Sequence, residues 1–376
     1  MTEHYLDNSA TTRVSEASAE TALRLMREEY ANPSSLHSKG FSASKELESA
    51  RQVVASAIGA DSTEIYFTSG GTEANNLAIF GTAYAHKRKG MHIVSTATEH
   101  SSVYESMLQL RKEGFEVTFI SPDSFGRISA EDVLNAVTDK TILVSVMYIN
   151  NEVGAINPIA DIAAGLKRKA PSVIFHVDAV QAFGKTDFKV QKLSAHLLTL
   201  SGHKIHAPKG VGALYVKKGV RILPRTFGGK QEGKIRPGTE SLPLIGAFSS
   251  AVRELDISQS IHTVSTLRSY LWDRLSVMKD IVINSPQNGS PFILNFSVMG
   301  IRSETMLHHL AALGVYVSSG SACSKGGKSH VLSSMGLADN IADSAIRVSF
   351  SKYNTIADCD ALLEGVRQGM EKLAKR

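Results

Sequence analysis

Three short stretches combine reactive residue types with the settings their chemistry needs. In "FTSGGTEANN" (67–76) a strand ends at Ser69, two glycines follow, and Thr72 opens a helix. Backbone N–H groups at a helix start, approached through glycine, make an anion site. No Gly-Lys-Ser/Thr follows, so this is not a nucleotide-binding P-loop. In "FHVDAVQ" (175–181) Asp178 ends a buried strand, on the same face as His176 because side chains repeat every two residues. Ligands of open α/β sheets bind at that carboxyl edge, although a turn aspartate would read the same way. In "LLTLSGHKIHAPKGVGALYV" (197–216) Lys204 follows a strand in a Ser-Gly-His setting. Alone, it fits a solvated strand end as well as a desolvated lysine able to form a Schiff base.

The conjunction is more specific than its parts. A helix-start phosphate site, an acid for a pyridinium nitrogen and a Schiff-base lysine are what pyridoxal 5'-phosphate requires. A fourth stretch, "SSGSACSKGGKSH" (318–330), sets Cys323 among small, flexible and basic residues, where no bulk is available to bury it. A thiolate is the reactive form of cysteine, and Lys325 and Lys328 would favour it. Gly320, Gly326 and Gly327 would let this stretch move. The other cysteine, Cys359, falls on an expected helix and reads as structural or incidental.

Positioning these residues requires an α/β frame. Between 64 and 220, apolar runs at 64–69, 92–97, 117–121, 142–149, 173–179, 196–201 and 212–217 alternate with stretches of helical periodicity. The near-continuous Val/Ile/Leu content predicts strands covered on both faces, hence a mostly parallel seven-stranded sheet in a large domain. Helices are expected over 72–89, 101–113, 129–137 and 159–170, with start signals at Ser129 and Pro158, and over 244–280. Beyond about 256 the elements are sparser: strands at 291–298, 315–319 and 345–351, and helices at 303–313 and 355–375. The expected division is a large domain over 16–256 and a smaller α+β domain from 1–15 and 257–376.

The 376 residues are 43% hydrophobic and 20% charged, which supplies a core large enough for two domains. Two cysteines cannot build a disulfide framework, and no CxxC pair exists to hold zinc. A cytoplasmic setting is expected, without metal, membrane span or signal peptide. The net charge of +5 comes from short basic clusters without interleaved aromatics. These read as solvated element ends rather than a nucleic-acid surface.

In its ordered motifs the sequence resembles the NifS/IscS-type cysteine desulfurases, fold-type I pyridoxal phosphate enzymes of the class V aminotransferase superfamily. The matching stretches span the chain: "YLDNSATT" (5–12), "NPSSLHSKG" (32–40), "FTSGGTEANNLAI" (67–79), "TEH" (98–100), "NNEVG" (150–154), "HVDAVQ" (176–181), "SGHKIHAPKGVGALYV" (201–216), "GGKQEGKIRPGTE" (228–240), "SSGSAC" (318–323) and "IRVSF" (346–350). The resemblance implies that Lys204 carries the cofactor and moves protons. It implies that His100 stacks on the ring, that Asp178 pairs with the ring nitrogen, and that Gln181 meets the phenolate oxygen. Gly71, Thr72, Ser201 and His203 would hold the phosphate, joined by Thr239 from the partner subunit of a homodimer. Asn151 would line the site, and Arg347 with Asn32 would clamp the substrate carboxylate. L-cysteine would become L-alanine as its sulfur passes to Cys323 as a persulfide. A sulfur-acceptor protein, an iron–sulfur scaffold or tRNA-thiolation enzyme, would take it on. "SSGSAC" points to the first desulfurase group, and the short segment before "HVLSSMGL" bears on which acceptor is served. The competing reading is another class V aminotransferase or lyase, such as a selenocysteine lyase.

Overall fold

The computed structural model describes residues 2–319 and 329–373. Seven strands form one sheet in the spatial order Ile65–Thr68, Gly212–Val216, Leu197–Ser201, Ile174–Asp178, Thr141–Met147, His92–Thr96 and Glu116–Ile120. Only Gly212–Val216 runs against its neighbours. The remaining pairings are parallel, as the apolar runs predict.

Alternation along the strands explains why both faces are covered. Val94, Val144, Phe175 and Leu198 enter one apolar core. Their chain neighbours Ile93, Leu143, Ile174 and Leu197 enter the other. Each such side chain contributes about 1.5–3 kcal/mol by leaving water. Helices Gly71–His86 and Ser101–Lys112 pack on the second face. Helices Ser38–Ile58, Ile159–Lys169 and Leu242–Arg253 cover the first. The expected helix over 244–280 is two helices, Leu242–Arg253 and Ile257–Ser276. Asp256 starts the second by accepting the Gln259 N–H at 2.9 Å.

A four-stranded antiparallel sheet follows, in the order Ser318–Ser319, Ala345–Ser349, Ile293–Val298 and Ile281–Ile283. The single strand expected at 315–319 is divided between two sheets. Val315–Tyr316 pairs in parallel with His4–Tyr5, and Ser318–Ser319 pairs with Ala345–Ser349. The chain therefore crosses from one sheet to the other at Val317. The N-terminal segment continues beside the second sheet through a bridge from Asp7 to Ser349. This brings Asp7, Ser9 and Ala10 close to the carboxyl edge of the large sheet.

Candidate active site

The parallel strands all end at one edge, and four of them hand polar residues to it. Asp178 ends its own strand, Ser201 and Lys204 end and follow theirs, and His100 and Asn151 lie just past two others. With Gly71, Thr72, Asn75, Gln181, His203, Ser9, Ala10 and Arg347 they line one cavity of ≈ 390 Å³. That volume suits a small-molecule ligand. Asn32 and Thr239 are exposed and do not reach this cavity within the chain. Cys323 lies outside the described residues, but both flanks of its stretch attach beside the cavity. Ser318 is in register with Arg347, and His330 Nε2 bonds the Glu99 carbonyl oxygen at 2.8 Å.

Asp178 is almost fully buried and held from two sides. Its Oδ1 accepts the Val180 N–H at 3.0 Å, and its Oδ2 accepts from Asn75 Nδ2 at 2.7 Å. The same Asn75 amide donates to Ser102 Oγ at 2.8 Å, which lies 2.8 Å from His100 Nδ1. Nδ1 also accepts the Ser102 backbone N–H at 3.1 Å. A nitrogen that accepts carries no proton, so the neutral ring keeps its hydrogen on Nε2. Burial holds the His100 imidazole below its ordinary value, partly offset by Asp178.

Lys204 Nζ donates to the carbonyl oxygens of Ser9, at 2.5 Å, and Ala10, at 2.7 Å. Beside it His203 is pushed down to about 4, first by burial and then by the Lys204 charge. Arg347 is buried on an interior strand of the small sheet, Ala345–Ser349. Its Nη2 donates to Asp7 Oδ1 at 2.7 Å and its Nη1 to the Asn151 carbonyl oxygen at 3.1 Å.

Several buried polar atoms lining the cavity have no protein partner among the described residues: Ser9 Oγ, Asn75 Oδ1, Asn151 Oδ1, Ser201 Oγ and Arg347 Nε. Buried polar groups are ordinarily paired, so this cluster fits a polar ligand. Gly71 adds to the fit, because a Cβ there would come within 2.9 Å of Val180 Cγ2 and crowd the helix start. Phosphate, ring nitrogen and carbonyl are each matched by a group of suitable chemistry.

The class-V aminotransferase family model matches residues 4–362. A cysteine desulfurase, IscS, of Methanosarcina thermophila is 41% identical over 374 residues, covering 98% of this chain and 92% of that protein. The chain belongs to this family, among its NifS/IscS-like cysteine desulfurases. A solved NifS-like protein superposes with a TM-score of 0.94 at 37% identity, covering 99% of this chain and 100% of that one. A structure described as SspA in complex with cysteine matches with a TM-score of 0.84 at 31% identity, covering 94% and 100%. Membership makes the chain a fold-type I enzyme of sulfur transfer, a family that works with pyridoxal phosphate. Among the described residues no helix is long and apolar enough to cross a membrane.

Sequence reasoning assigned no role to Asn75, Ser102, Asp7, Ser9 or Lys185. Two signals were present: Asn75 is one helical turn beyond Thr72, and Ser102 follows His100 by two residues. Those two offsets place all four on the helix starts that face the site. The N-terminal carbonyls that receive Lys204 leave no such trace, because a backbone acceptor has no residue type.

Proposed function

We propose that the chain converts L-cysteine to L-alanine with pyridoxal phosphate, passing the sulfur to Cys323 as a persulfide and then to an acceptor protein. The observation that carries this reading is the meeting of Lys204, Asp178 and His100 on one cavity whose walls hold buried polar atoms without partners among the described residues. When bound, the cofactor supplies an aldehyde for an amine and a ring that accepts electrons from the substrate's Cα. Lys204 would hold that aldehyde and, as a free amine, would move the proton that leaves the substrate's Cα. Asp178, held by Asn75 and the Val180 N–H, keeps a ring nitrogen protonated. His100 would meet the ring through its Nε2–H, and Gln181 would donate to the phenolate oxygen. Gly71, Thr72, Ser201 and His203 hold the phosphate, with the partner subunit's Thr239 completing it in a homodimer. Arg347 takes the substrate carboxylate, the task a guanidinium fork suits; Asn32 lies off the cavity within the chain and is given no part in it.

The Cys323 thiolate attacks the substrate sulfur. A sulfur–sulfur bond forms, the Cβ–S bond breaks, and its electron pair passes to the carbon skeleton that leaves as alanine. Cys323 is four residues from Ser319, so an extended chain of about 3.3–3.6 Å per residue keeps it within roughly 14 Å of that anchor. The acceptor in this reading serves iron–sulfur cluster assembly or tRNA and cofactor thiolation. The same reading divides the chain into a large domain over 16–256 and a small one from 1–15 and 257–376. The separate antiparallel sheet supports that division.

The deciding assay gives L-cysteine and a reductant to the native enzyme and to Cys323→Ala. The native enzyme yields sulfide and alanine; the variant loses nearly all sulfide while keeping the cofactor's visible absorbance. Equal sulfide from both overturns the assignment of Cys323.

A further inference from the structure

Lys185 is buried next to the site, and the chemistry above leaves it without a task. Its Nζ donates to Gln181 Oε1 at 2.9 Å and lies 5.6 Å from the centre of the Phe292 ring. No carboxylate pairs with it among the described residues, and the charges that act on it are those of Lys204 and Arg347. Buried charges are ordinarily paired or neutralised. Burial, then Lys204, then Arg347 push its ammonium down to about 7. A lysine kept in so unfavourable a place has a geometric consequence. An ammonium only donates, so it selects the carbonyl end of the Gln181 amide. The NH2 end must then face the other way, and there one N–H donates to the Ser9 carbonyl oxygen at 3.0 Å. That oxygen also receives Lys204 Nζ. The second N–H of the amide remains for the cavity that Gln181 lines. Both residues stand on one tight turn after the strand Ile174–Asp178, with the Lys185 N–H on the Ala182 carbonyl oxygen at 3.0 Å, so their spacing is set by the backbone.

We propose that Lys185 is a positioning residue: the hydrogen bond it donates orients the Gln181 amide with its NH2 toward the cavity, so that Gln181 presents a donor to the bound ligand. The inference rests on the cofactor reading and deepens it. Without the ammonium the amide is free to turn over and present its oxygen, and the ligand's phenolate loses a donor. Loss of that donor makes the phenolate hold the adjoining protonated nitrogen more tightly.

The test uses the holoenzyme and reads the pH midpoint of the cofactor's visible absorbance in wild type, Lys185→Met, Gln181→Leu and the double variant. Lys185→Met and Gln181→Leu each move the midpoint upward by about half a pH unit or more. The double variant falls well short of the sum, because both act through one amide. A wild-type midpoint in Lys185→Met, or shifts that add fully, overturns the proposal and assigns Lys185 to packing alone. Should Lys185→Met fail to fold, Lys185→Ala, whose cavity water can enter, is read by the same two criteria. Wild type lacking any visible band on addition of pyridoxal phosphate would instead overturn the cofactor reading, so the two failures are distinct.

Discussion

Asn75 and Asp178 are joined by a buried hydrogen bond of 2.7 Å, and the same amide reaches Ser102 at 2.8 Å. One NH2 group therefore orients both the Asp178 carboxylate and, through Ser102, the His100 imidazole. Asn75→Ala removes both ties without touching either reactive group. Turnover should fall about ten- to a hundredfold, the effect of losing a hydrogen bond to a charged group, ~1.5–3 kcal/mol. The cofactor's absorbance maximum should shift as well. Steady-state kinetics and a visible spectrum check this, and an unchanged variant would detach Asn75 from the site.

Lys204→Ala should lose turnover by a factor of about a thousand or more, since both cofactor attachment and proton transfer pass through one amine. Its spectrum, after desalting, should lack the visible band that the wild type keeps. A variant that retains full turnover would show that another residue carries the cofactor.

These sites were legible in unequal measure. The seven strands stand out because both faces are buried, so that "ILVSVM" and "LLTLS" are nearly unbroken apolar runs. Helix Ser38–Ile58 was harder to read. It is rich in Ala, Ser, Lys and Glu, and its N-cap is His37 Nδ1, which accepts the Gly40 N–H at 3.1 Å. Histidine is no ordinary start signal. Among site residues, Lys204 and Asp178 were visible because glycines and strand ends frame them. Arg347 alternates with apolar neighbours and reads equally as a solvent-facing edge residue. Only the pairing of its strand between Ile293–Val298 and Ser318–Ser319 buries it against Asp7.

Arg347→Lys tests the substrate clamp. Lysine keeps the charge but cannot serve Asp7, the Asn151 carbonyl and a substrate carboxylate with one planar fork. KM for L-cysteine should rise about ten- to a hundredfold, with kcat changed less. Asp7→Asn controls for the lost ion pair and should raise KM less. Equal KM in Arg347→Lys and wild type would remove Arg347 from substrate binding.

Glu99 sets a stability rule with pH. It is fully buried, with Oε1 accepting from Thr96 Oγ1 at 2.8 Å and from the Met147 N–H at 2.8 Å. Burial raises its carboxyl to about 8, against an ordinary 4.5. Between those values the folded chain holds a proton that the unfolded chain has released, so stability falls as pH rises through that window. Glu99→Gln mimics the neutral acid and removes this dependence. Thermal melts should show the variant near wild type at pH 5 and more stable than wild type at pH 8.5. Parallel Tm-against-pH curves would show that Glu99 is not the group responsible.

Glu232 fastens the segment that carries Thr239 to the large sheet. Its carboxylate takes both Arg51 terminal nitrogens at 2.7 Å and the Phe67 N–H at 2.8 Å, with its side chain only 1% exposed. Arg236 adds a second tie to Glu73 at 3.0 Å. Removing one partner of a buried bidentate pair strands the other charge, so Glu232→Ala should cost about 3–5 kcal/mol in urea unfolding. Arg51→Ala should cost a similar amount. The double variant should cost less than the sum, because neither charge is then left alone. If Thr239 completes the partner's phosphate site, loosening this segment should also weaken retention of pyridoxal phosphate. That loss, followed by dialysis at pH 7, is expected even under conditions where Glu232→Ala remains folded. Full retention by the folded variant would separate the Arg51–Glu232 anchor from the cofactor site and leave it a purely structural tie.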